Sequence, residues 1–224
     1  MHVDALAREV AGRFMRGDVT GPPFPPYFAR WAERMRAHAE RALGEYGESE
    51  SPELEWPPFE SFERVGERRI GDLDVYVYRI EPTASALLLA LRGDALAYTS
   101  FAGGRFMGPE FDSDRFPPYD LALMATHARG EGELDLSIAS MTTQGEGPVQ
   151  VAFAIEPERF AALDGAALAA LVEKCTPIAS DVALLFCGRP GPLTIVYIEP
   201  DPPATDNVRH LGVQRTPLAT FEIP

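Results

Sequence analysis

The chain has 224 residues, 46% of them hydrophobic and 24% charged, which suits one large domain or a core with a small appendage. Its 34 acidic and 20 basic residues leave a formal net charge of −14, and so acidic a surface repels nucleic-acid phosphate. No apolar run approaches bilayer length and residues 1–16 lack a signal-like apolar core, so a cytoplasmic protein without nucleic-acid or membrane partners is expected.

Lys174 is the sole lysine, and arginine with abundant Ala, Gly and Pro fits a GC-rich genome. Residues 3–16 place Val3, Leu6, Val10 and Phe14 at helical spacing. After a turn-rich stretch, Phe28, Trp31, Met35, Ala39 and Leu43 form the apolar stripe of a second helix. Its charged residues occupy the other faces, so the stripe reads as core packing.

Composition then shifts sharply. Glu45, Glu48, Glu50, Glu53, Glu55, Glu60 and Glu63 follow one another without an intervening basic residue. Ser49, Ser51, Pro52, Pro57 and Pro58 oppose regular structure, so 47–58 is expected to be an acidic, Pro-containing linker. The expected organisation is therefore a helical segment 1–46 belonging to the same domain, the linker 47–58, and an α+β core 59–224.

Beyond the linker the period changes to two. Residues 72–80 alternate Leu73, Val75 and Val77 with Tyr76, Tyr78 and Ile80. The runs 86–91 and 95–101 flank Gly93-Asp94, a good two-residue hairpin turn. A helix is expected from Tyr119 to Arg129, ended by Gly130. Residues 134–142 and 149–156 predict a hairpin whose inward side chains are Leu134, Leu136, Ile138, Val149, Val151, Phe153 and Ile155. Helical spacing follows from 157 to 175 with a break near Asp164-Gly165, while 182–187 suits either strand or buried helix. Strands are expected at 193–199 and 216–223. The fold class is α+β: a largely antiparallel sheet with helices on one face, preceded by an N-terminal helical pair.

Two short patterns recur. Aromatic–Pro–Pro–aromatic occurs at Phe24–Tyr27, Trp56–Phe59 and Phe116–Tyr119, each before a stretch that could be helical. Proline suits a first helical turn, because its φ is preset and its missing N–H has no helical partner there. Ile-Glu-Pro occurs at 80–82, 155–157 and 198–200, where proline ends a ladder and glutamate marks the exit into water.

Catalytic signatures are sparse. The sequence holds no phosphate-binding loop, no Gly-x-Ser-x-Gly elbow, and neither Cys-x-x-Cys nor His-Glu-x-x-His. Cys175 and Cys187 read as reduced, buried thiols. One acidic constellation remains, in which Asp112, Asp114 and Asp120 bracket the third Pro-Pro motif and His127 follows two helical turns after Asp120. Carboxylates there suit Mg²⁺ or Ca²⁺ and an imidazole suits a general base, although Asp120 near a helix start also suits ordinary helix-terminus electrostatics.

The functional expectation is a non-catalytic protein-binding module without a cofactor, with an immunity or regulatory protein as its concrete form. Glu48, Glu50, Glu53 and Glu55 would meet a basic protein partner, with Trp56 and Phe59 as aromatic anchors. The alternative is a metal-assisted hydrolase or transferase using Asp120 and His127, with Asp112 and Asp114 as metal ligands.

Overall fold

The computed structural model describes residues 3–46, 59–102, 116–143, 147–188, 191–200 and 217–223. The chain divides into two compact units, Met1–Glu133 and Leu134–Pro224. That division falls inside 59–224, the stretch read from the sequence as one core.

The first unit begins with α1 (Val3–Met15) and α2 (Tyr27–Tyr46). Strands β1 (Ser61–Ile70), β2 (Leu73–Glu81), β3 (Ser85–Arg92) and β4 (Ala95–Ala102) follow as an antiparallel meander in chain order. Gly93, at the first central position of the β3–β4 turn, has φ +62°, a conformation that costs glycine little. Tyr78, Leu87 and Phe101 share one face of this sheet by register, and α1 lies there, since Tyr78 donates a 2.7 Å hydrogen bond to Asp4. Ser100 points to the other face and donates to the Leu121 carbonyl of α3 (Tyr119–Arg129) at 2.7 Å. Helices therefore cover both faces, which is why β3 is buried along nearly its whole length.

Leu6 and Val10 of α1 and Phe28 of α2 sit in the first core, as their spacing predicts, with Val3 packed against it and Ala7 and Ala11 also buried there. Phe14, Phe24, Phe28 and Phe101 join there, with Phe14 stacked on Phe101 at 5.6 Å and edge-on to Phe24 at 5.3 Å. The α2 stripe departs from its sequence reading at Met35, which is 40% exposed. Of that stripe, Phe28 is buried in the core and Trp31 packs against it.

The second unit contains β5 (Ser137–Thr143), β6 (Val149–Ala154), α4 (Pro157–Ala161), α5 (Gly165–Cys187), β7 (Leu193–Ile198) and β8 (Ala219–Ile223). The β5–β6 and β7–β8 pairs are antiparallel, whereas β6 and β7 are parallel. A parallel pair needs a crossover, supplied here by α4 and α5. The predicted inward residues Leu134, Leu136, Ile138, Val149, Val151, Phe153 and Ile155 all enter the core, facing Cys175, Ile178, Ala179, Val182 and Ala183 of α5. The ambiguous stretch 182–187 is thus helical, and Gly188 closes the helix at φ +68°. The break at Asp164-Gly165 is a helix start, where the Asp164 side chain accepts from the Ala167 amide at 2.8 Å.

The α+β class and the leading helix pair agree with the sequence reading, but the strands form two sheets of four. The Pro-Pro motifs also divide. The first and third precede α2 and α3, whereas the second, at Trp56–Phe59, precedes strand β1, correcting the helical expectation. Its residues 56–58 lie outside the described residues. Proline preset for a helix also fits extended backbone, so the residues that follow decide. After Phe59 these are Ser61–Ile70, whose outward charges suit an edge strand. Among the described residues, no helix is long and apolar enough to cross a membrane.

Candidate functional site

Helix α3 carries the two described members of the acidic constellation. Its entry is pinned by Phe116, whose ring lies against Gly66 of β1: a Cβ there would stand 2.6 Å from the ring's Cε2. The Arg68 guanidinium lies 5.3 Å from the same ring's centroid. Leu121, Ala122, Ala125, Thr126 and Ala128 are buried, and the opposite side presents Tyr119 and Met124, 44% and 41% exposed.

Asp120 and His127 share a side of α3, as their seven-residue spacing predicts. Two turns separate their backbones by about 10 Å along the axis. Helical side chains lean toward the N-terminus, so His127 leans toward Asp120 while Asp120 leans away. The closer partner of His127 is Glu131, with Nδ1 3.9 Å from a carboxylate oxygen. Glu131 escapes a sequence reading that ends the helix at Gly130. Gly130 keeps right-handed helical angles, and the chain continues as a π-helical turn over Gly130–Leu134. The i, i+4 spacing from His127 was the available signal.

That turn is held from two sides. Arg129 donates to the Tyr98 hydroxyl, lies 5.2 Å from that ring's centroid, and meets Glu133 at 3.1 Å. Gly132 abuts the Tyr27 carbonyl so closely that a Cβ would stand 2.2 Å from the oxygen. Arg129 is accordingly turned inward.

Asp112 and Asp114 lie outside the described residues, so no geometry joins them to Asp120 and His127. Among the described residues no three His, Cys, Asp or Glu side chains come together as a metal-binding group. Asp120 lies in the first turn, where its negative charge complements the helix dipole, while the N-cap residue, Pro118, has no side-chain acceptor to cap that turn.

Glu48, Glu50, Glu53, Glu55 and Trp56 likewise lie outside the described residues. Phe59 does not. It is half-buried, its ring 5.5 Å from Phe62, which in turn lies 5.0 Å from the Tyr78 ring. The Glu60 amide donates to the Glu81 carbonyl at 2.9 Å, extending the β1–β2 ladder. Phe59 thus roots the C-terminal end of the acidic stretch in the first core. Glu63, the last acid of that stretch, pairs with Arg79 at 2.9 Å.

The cysteines are separated by twelve residues of one helix, about 18 Å of rise, which prevents a bridge between them. Cys175 is buried and accepts a hydrogen bond from the Tyr197 hydroxyl at 3.3 Å. Burial pushes its thiol pKa up to about 11 despite that hydrogen bond, so at neutral pH it is a protonated core group and a poor nucleophile.

Compared with known proteins, the chain matches no family model, and neither a curated protein nor a solved structure matches it.

Proposed function

We propose that this chain is a cytoplasmic, non-catalytic protein-binding module that captures a basic protein partner through acidic surface. An immunity protein that neutralises a toxin, or a regulatory protein of similar chemistry, is its concrete form. The observation that carries this reading is the charge distribution: seven glutamates between Glu45 and Glu63 without a basic residue, within a chain of net charge −14. Seven of the described arginines add support. Arg13, Arg64, Arg69, Arg79, Arg92, Arg129 and Arg159 each meet a carboxylate within 3.4 Å or less. Their positive charge is matched locally, so excess carboxylates dominate the field that an approaching protein meets.

Glu48, Glu50, Glu53 and Glu55 are assigned the electrostatic role, with Trp56 and the core-rooted Phe59 beside them. Complementary charge of this kind raises the association rate and makes it salt-sensitive. The test is affinity capture from a lysate of the source organism, comparing the chain with its four-fold Glu→Gln variant at those positions. A basic protein retained at low salt, released at high salt and bound about tenfold more weakly by the variant is the expected result. Equal binding of every captured protein by both chains would sink the assignment.

A metal-assisted hydrolase or transferase is the second reading, favoured by the placement of Asp120 and His127 on one side of α3 with Glu131 near the imidazole. Asp112, Asp114 and Asp120 would hold a divalent cation there and His127 would accept a proton. This reading expects Mg²⁺ or Ca²⁺ to raise Tm in a way that Asp114→Asn and Asp120→Asn abolish. A shift that survives both substitutions removes this site.

A further inference from the structure

We draw no further inference here: the strongest candidate, the outward side of helix α3 bearing Tyr119, Met124, Asp120 and His127, carries nothing because nothing in the structure shows what covers it.

Discussion

Both sheets list their strands in chain order, yet the first is antiparallel throughout and the second contains a parallel pair. The contrast is sharpest at the repeated Ile-Glu-Pro. In the first unit it ends β2, and Thr83-Ala84 then turns the chain directly back into β3. In the second, Glu156 becomes the residue before a helix and Pro157 its first residue, so the chain crosses over to β7. Ile155 then lies beside Ile198, its amide donating to the Ile198 carbonyl at 2.9 Å. Proline therefore stops a ladder in either setting, while the residues after it select the connection. Thr-Ala-Ser before an apolar run returns as a strand, and Glu-Arg-Phe-Ala-Ala starts a helix. The same tripeptide carries no evidence of a shared topology.

The units also place their polar groups differently. The first gathers aromatic rings inside and fastens its helix through Asp4 to Tyr78, whose pKa is raised by burial and by that carboxylate. The second keeps a thiol–phenol pair, Cys175 and Tyr197, inside its core. If this contrast is right, truncating an aromatic in the first unit has the largest consequence. Phe28→Ala should destabilise by about 3–5 kcal/mol, because it deletes a fully buried ring touching Phe14, Phe24 and Trp31. Urea unfolding and amide exchange in β2 and β3 would measure it, and a loss under about 1 kcal/mol would remove the aromatic cluster from the first core.

A smaller effect should come from the buried thiol. Its pKa rises from 9.0 to about 11, so above roughly pH 9 the unfolded chain releases a proton that the folded chain retains. Stability contributed by this group is complete below that pH and is lost as pH rises toward 11. The slope approaches about −1.4 kcal/mol per pH unit at most. Denaturant midpoints taken at roughly pH 7.5–9.5, where unfolded tyrosines are still mostly protonated, should fall with pH for the native sequence and less steeply for Cys175→Ala. Parallel curves would mean the thiol is not desolvated. The smallest effect belongs to the start of α5, where Asp164→Ala should cost about 1 kcal/mol and Asp164→Asn much less, read from urea midpoints.

Much of the local structure was legible because periodicity reports which faces are dry. The hairpin residues Val149, Val151 and Phe153 alternate cleanly, and all three are buried. The α3 limits Tyr119–Arg129 could be read from proline before and glycine after. Strand β1 could not, because its edge position exposes most of its side chains and its charges resemble the preceding acidic stretch. For the candidate site, the shared side of Asp120 and His127 followed from spacing alone. The nearness of Glu131 depended on backbone continuing through Gly130, which local sequence argues against.

By itself the sequence determined the α+β class, the leading helix pair, the strand-ending prolines and the strongly acidic charge, since each depends on neighbours a few residues apart or on composition. Tertiary structure decided the rest. It split the strands into two sheets, covered both faces of the first, and joined β6 to β7 in parallel. It also sent Arg129 inward to Tyr98 and seated Phe116 on Gly66. These outcomes follow from contacts between residues distant in the chain, where burial and van der Waals fit select a partner that no local pattern encodes.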